Sequence, residues 1–526
     1  MRVQPGIYAA VVIMLHSSIA SAQRVLYSPF VGDPSAVRFE VVAKAGNFYW
    51  VQKGKKKNSA GLPSNYGIRD KEQSFEIYDS RMEPVRAIPF SLISVTSLKE
   101  YFVSDERYFD RLILVTDYRK TNLFLQRYSP EGQLLYEDKL PYQFPFNESA
   151  NNFLVVRSED RTKILVLGFE TTDHDAQRIH ALLLNRDWKL LQYKTYEHSY
   201  FSQPFIQYNF INYPVESFST SAIKLGNEGD WLMTAPSRTN HNFLLFHFSG
   251  SDSEFVYREI KLPGGANVDA VALSLNEESH EALAGIMCKF RYSAVKTVSV
   301  ARYSLLNHDL VFDSTYRFRT VSGARTRNEN LEEEDFTALP GGGFMLLKEY
   351  GRPYSGTYRT EDFGFDYVGE GEATLIVNQP MDIPGMATTF GNDEYTRYNS
   401  LSGSGASHRR GDLNMFFFPG GKNGNCWTGI INKEQVTELN SSFLSYFMIP
   451  IRSRLFLLYN SRFRRTDQFG TTTILDQDGQ PIDDAGIAFW DINNTLIFQK
   501  ARQIAINEVA IPYERNQREG FAVIRF

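Results

Sequence analysis

One phrase recurs along the chain and limits what it can fold into. "NLFLQRYSPEGQLLYEDKLP" (Asn122 to Pro141) is two apolar, aromatic-rich strands joined by a polar turn near Glu131. Six more copies have the same form, with turns near Ser80, Asp187, Ser251, Asn307, Lys422 and Asp478. In chain order the turns are 51, 56, 64, 56, 115 and 56 residues apart. Ahead of the copies lie further pairs of short apolar runs, such as "NFLVVRS" with "KILVLGFE" and "FTALPGG" with "GFMLLKEY". Each unit therefore holds about four antiparallel strands, the content of one β-propeller blade. A blade cannot bury both its faces alone, so the repeats must stack into a ring.

The ends of the chain bear on how the ring closes. "ARQIAINEVAIPYERNQREGFAVIRF" supplies three strands, around Gln503, Val509 and Ala522, and stops at Phe526, where a fourth strand is due. "RVLYSPFV" (Arg24 to Val31) is a spare strand near the other end. The expectation is an all-β, single β-propeller of eight four-stranded blades, or seven if one unit is mis-split. Residues 23–31 are expected to close the last blade and remove an exposed sheet edge. The domain would span 23–526, with a long insertion at 350–411 inside one blade.

The first 22 residues read as a secretory signal. Arg2 precedes an apolar stretch from Ile7 to Leu15, and Ala20-Ser21-Ala22 forms an A-x-A cleavage site. The stretch is shorter than the roughly 20 apolar residues that span a bilayer. The chain is thus expected to be exported, periplasmic or extracellular, with no integral membrane segment. Sequons at Asn147 and Asn440 matter only in a host that glycosylates them. A net charge of −5 without a clustered basic face excludes nucleic acid as the expected partner. Cys288 and Cys426 are the only cysteines, and either a disulfide or two buried thiols suits them.

The segment from about Glu332 to Phe526 resembles a group of uncharacterised exported propeller-like proteins common in Bacteroidota. The residues that carry the likeness are "GGGFMLLKEY", "NKEQVTELNSSFLSYFMIPIRSRLFLLYNSRF" and "QIAINEVAIPYERNQREGFAVIRF". The resemblance implies a secreted β-propeller and no particular chemistry.

Several stretches invite a chemical reading, and a structural one outweighs it in each. "DQDGQPIDD" (Asp476 to Asp484) clusters oxygens as calcium wants, but it fills the slot that is a hairpin turn in other units. "DHD" (Asp173 to Asp175), near His180, lacks the paired spacing of a zinc site. "KGKKK" (Lys53 to Lys57) reads as a solvated loop in an acidic chain. "FPGGKNGNCW" (Phe418 to Trp427) reads as a turn followed by a packed aromatic, and "LEEEDF" (Leu331 to Phe336) as a run of adjacent carboxylates without the separation that glycosidase chemistry needs. No G-x-S-x-G elbow is present. No metal, cofactor or catalytic residue is expected.

The insertion is the exception. It gathers Tyr354, Tyr358, Arg359, Tyr367, Tyr395, Arg397 and Tyr398 among many glycines. Long loops on a rigid scaffold carry function, planar aromatics stack on sugars, and Arg forks carboxylates. These residues are the expected ligand-binding set, and the ligand an unidentified glycan, peptide or protein. The expected function is a secreted, non-catalytic binding or scaffold module at the cell envelope. The alternative is a propeller-fold glycoside hydrolase or polysaccharide lyase, whose residues would be scattered over several blades.

Overall fold

A computed structural model gives the architecture. It describes residues 25–31, 37–55, 73–90, 98–117, 120–145, 153–171, 177–198, 222–237, 242–250, 255–290, 295–319, 332–351, 365–368, 408–421, 425–431, 433–437, 446–451, 453–463, 468–477, 479–483, 494–515 and 518–526. Eight four-stranded antiparallel blades stand in a ring, so the chain is an eight-bladed β-propeller.

The third blade shows why these sequences fold this way. Its strands are Phe153–Arg157, Lys163–Thr171, Gln177–Asn185 and Leu190–His198. Successive side chains of a strand point to opposite faces. Ile164 and Val166 therefore pack against the second blade, and Leu165 and Leu167 against the fourth. Both faces are buried, which accounts for continuous apolar runs where a half-exposed strand would alternate. The same division recurs all the way round: eight core clusters each fill the gap between two neighbouring blades. Aromatic pairs cement them, as where Trp50 of blade one stacks on Phe109 of blade two at 3.9 Å.

The repeated phrase is the third and fourth strands of each blade. In blade two it is Lys120–Tyr128 with Leu134–Phe144, joined by a turn in which Gly132 has φ +86°. A Cβ there would stand 2.2 Å from Ile77 Cδ1 of blade one, so glycine serves both the backbone and the packing. The "DQDG" stretch is the same turn in blade seven: Asp476 Oδ1 accepts the Gln480 amide at 2.7 Å, and Gly479 has φ +77°. Asp79 and Asn185 cap their turns alike. Asp478 and Asp484 lie outside the described residues, as do Asp173 to Asp175.

This topology gives the ring two unlike rims. The turns joining strands one to two and three to four define a lower rim. Connections from strand two to three, and from blade to blade, lie on the upper rim. Staples between blades cross the lower rim. Trp50 Nε1 donates to Pro130 O at 3.2 Å, Arg302 Nε to Gly420 O at 3.1 Å, and Arg186 Nη2 meets Asp105 Oδ2 at 2.6 Å.

The last blade comprises Glu508–Arg515, Arg518–Arg525, a first strand interrupted by a 3-10 turn (Thr495–Leu496, Phe498–Lys500, Arg502–Ala505), and Val25–Tyr27 as its outer member. Val25 pairs with Ile524, and Tyr27 with Ala522. The strand near the N-terminus thus closes the ring. Glu508, buried at the seam with blade one, takes Lys44 Nζ at 2.8 Å, Arg525 Nε at 3.0 Å and Tyr49 Oη at 3.1 Å. Burial, ahead of the opposing bond from Arg525, pushes the Tyr49 phenol up to about 12, so Tyr49 stays a neutral donor. Cys288 and Cys426 are free thiols in separate layers; burial pushes each up to about 12.

Two predictions follow from these seams. Glu508→Ala strips Lys44, Tyr49 and Arg525 of their common partner. It should lower stability by about 2 kcal/mol, read from the urea midpoint. Asp105 is the pH-sensitive staple. Burial works to raise its pKa, but the Arg107 and Tyr108 amides and the Arg186 guanidinium outweigh burial and hold it below the ordinary 3.8. A lowered folded pKa gives stability that is complete above the unfolded value and lost as pH falls through the folded one. Asp105→Asn should therefore weaken the protein at pH 6, and the deficit should shrink in urea titrations run below about pH 4.

Candidate functional site

The insertion expected to bind ligand leaves the ring at the upper rim of blade six. That blade comprises Glu332–Leu339, Gly343–Gly351, His408–Pro419 and Trp427–Ile431. Gly351 pairs with Arg410 across the two feet, so the excursion proper is 352–407. Tyr354, Tyr358, Arg359, Tyr395, Arg397 and Tyr398 lie outside the described residues. Tyr367 belongs to a short strand, Phe365–Val368, that adds to the outer edge of blade five with Tyr367 opposite Tyr316. The insertion therefore reaches from blade six to its neighbour, which sequence patterning did not foresee.

Its base is built like a foundation. Glu434–Thr437 pairs antiparallel with His408–Arg410 and parallel with Arg462–Phe463, joining blades six and seven into one sheet at this rim. Beneath it Lys433 forms an ion pair with Glu349, and both side chains are 0% exposed. Lys433 Nζ stands 3.4 Å from Gln435 Oε1 and 5.6 Å from the Tyr446 ring centre. Gln435 Nε2 donates to Asn460 O at 2.8 Å, and Tyr446 donates its phenol proton to Asp335 Oδ2 at 2.6 Å. With no solvent at either charge, the pair ties the Gly343–Gly351 foot to the residue leading into Glu434–Thr437, beside Tyr446 of blade seven. Lys433 and Glu349 lie in two of the stretches that carry the resemblance, but they are 84 positions apart and nothing in the sequence pairs them.

The lower rim carries an open cleft of about 350 Å³ between blades four and five. Glu228, Asp230, His247, Glu277, Glu278 and His280 give its polar lining. The His247 imidazole, with Nε2 at 3.7 Å, holds the Asp230 carboxyl below its usual range, and Asp230 Oδ1 also accepts the Gly250 amide at 2.6 Å. Glu277 is engaged by Asn227 through both the amide N–H and Nδ2, and Asn227 Oδ1 accepts the Asp160 amide of blade three at 3.0 Å. Three successive blades are tied here. The cleft offers carboxylates and imidazoles suited to a cation or to sugar hydroxyls. His180, singled out by sequence, lies elsewhere, hydrogen bonded to Tyr193 at 2.8 Å and Glu170 at 3.0 Å. Lys53 is ion-paired with Glu76.

No protein-family model matches the chain, and no curated protein sequence matches it. Solved structures do. The polysaccharide lyase Uly1 aligns at 9% identity and a TM-score of 0.33, covering 95% of this chain and 98% of the lyase. The β-propeller domain of the Trilobed protease from Pyrococcus furiosus aligns at 8% identity and a TM-score of 0.32, covering 81% of this chain and 95% of that domain. The β-xylosidase/α-arabinofuranosidase CoXyl43 from a compost metagenome aligns at 10% and 0.23, over 55% of this chain and 97% of the enzyme. At such values the likenesses carry no functional argument.

The buried pair gives the prediction for this rim. Lys433→Met leaves Glu349 charged and uncompensated in a dry site, and should cost about 3–5 kcal/mol in a urea titration. Adding Glu349→Leu to that variant should restore most of the loss, since an apolar pair replaces an ionic one at little net cost.

Proposed function

We propose that the protein is an exported, non-catalytic β-propeller that serves as a binding or scaffold module at the cell envelope, taking a glycan, peptide or protein ligand on the 352–407 insertion. One observation carries this reading. The connection between the second and third strands of a blade occurs eight times around the ring, under the same geometric demand each time. It takes 2 to 6 residues in six blades, 17 in the first (56–72), and 56 in the sixth (352–407). The ring needs the short version, so the excess serves something other than closure. Its Tyr, Arg and Gly content suits planar stacking and forked hydrogen bonding on an exposed partner. The buried Lys433–Glu349 pair stiffens its base, as a displayed recognition loop requires. The signal-like first 22 residues and the resemblance of 332–526 to exported propeller-like proteins support the location.

The test compares the full chain with a variant whose residues 352–407 are replaced by a short Gly/Ser linker. Glycan arrays, soluble polysaccharides and envelope protein fractions are the probes. Binding should fall at least tenfold in the variant while the thermal midpoint of the ring holds, with no product released by either protein. Release of sugar products by the full chain, or binding that ignores the deletion, would overturn the reading.

A further inference from the structure

Beside the lower-rim cleft, three donor atoms from two blades converge. His247 ends the third strand of blade four (Phe243–Phe248) but one residue. Tyr303 and His308 flank the corresponding turn of blade five, between Val295–Ser304 and Asp309–Arg319. His247 Nδ1 stands 3.2 Å from His308 Nδ1 and 3.3 Å from Tyr303 Oη, and Tyr303 Oη stands 3.3 Å from His308 Nδ1. The three form a nearly equilateral triangle. Hydrogen bonds serve such a triangle poorly. Asp230 Oδ2 faces the other nitrogen of His247 at 3.7 Å and favours a proton there, leaving Nδ1 as a bare lone pair. The hydroxyl proton of Tyr303 and the Nδ1 proton of His308 can then satisfy two sides at most, yet the third side is the shortest.

A cation satisfies all three sides at once when the His308 proton moves to Nε2 and frees the Nδ1 lone pair, with Tyr303, whose phenol burial pushes up to about 12, entering as a neutral oxygen. The centre of the triangle is about 1.9 Å from each corner, and an ion with metal–ligand distances of about 2.0–2.1 Å sits just off its plane. Imidazole nitrogens select the borderline metals, zinc among them. A carboxylate on the far side of a ligating histidine is the usual outer partner of such an ion, and Asp230, itself fixed by the Gly250 amide, stands there. The backbone also presets the site: His308 is held in a left-handed turn at φ +54°, and Tyr303 and His247 are buried. The cleft running along His247 and Asp230 gives access.

We propose that His247, His308 and Tyr303 bind one divalent cation of zinc's class, oriented by Asp230, and that the ion clamps blade four to blade five. The proposal is independent of the ligand reading and departs from the sequence expectation of no metal. The nine histidines show no zinc spacing because the two imidazoles are 61 positions apart and meet only through ring geometry. Among the described residues no three His, Cys, Asp or Glu side chains form a metal-holding group; this set reaches three donors through a phenol.

The test is calorimetric titration of the chelator-treated full chain with zinc chloride, beside His308→Asn and Asp230→Asn. Asn tolerates the left-handed turn. His308→Gln, with circular dichroism to verify folding, guards against a disturbed turn. The wild-type chain should bind one zinc per molecule and gain thermal stability in excess zinc. Affinity should fall at least 100-fold in both His308 variants, and about 10–100-fold in Asp230→Asn, as for outer partners of metal-bound histidine. Absence of a one-to-one site in the wild type, or binding that survives unchanged in folded His308 variants, overturns the proposal.

Discussion

Everything in this molecule depends on a sheet with two apolar faces. In the third blade Ile164 and Val166 look one way, Leu165 and Leu167 the other, and each set is buried only because another blade covers it. Fully burying one such side chain contributes about 1.5–3 kcal/mol, so an open end would leave a whole layer of them in water. A row of blades must therefore close on itself. The seam between the last blade and the first is where closure is completed, by Val25–Tyr27 along Arg518–Arg525 and by Lys44, Tyr49 and Arg525 gathered on Glu508.

Closure fixes a division of labour. The lower rim is crossed by staples between blades, from Trp50 on Pro130 to Arg186 on Asp105 and Asn227 on Glu277. On the upper rim one connection takes 56 residues, rooted in a dry ion pair and a strand shared by blades six and seven. The proposed recognition role rests on this one connection's length, since long connections on a scaffold often carry function. Fold alone does not exclude chemistry in such rings.

The fold was legible in sequence because the described hairpins between third and fourth strands in blades one, two, three and seven carry local turn chemistry. Asp79, Ser129, Asn185 and Asp476 all cap their turns through side-chain oxygens, and Gly132 and Gly479 supply left-handed positions. The missing fourth strand after Ala522 pointed to its replacement from Arg24 to Val31. Contacts between blades were not legible. His247 and His308 are about one repeat apart, but neither belongs to a motif and nothing local announces their meeting; Lys433 and Glu349 likewise meet only through the fold. The strand Phe365–Val368 was hidden for a different reason: it pairs with the edge of another blade, and its partner supplies the geometry that its own sequence does not specify.

The most direct test of the central claim, that this ring displays a binding loop and performs no turnover, is hydrogen–deuterium exchange on the full chain with and without a soluble polysaccharide mixture, with polymer length followed in the same samples. The account predicts ligand-dependent protection confined to 352–407 and the upper rim of blades five to seven, with polymer length unchanged. Shortened polymer, with protection along the first strands of the blades, would contradict it.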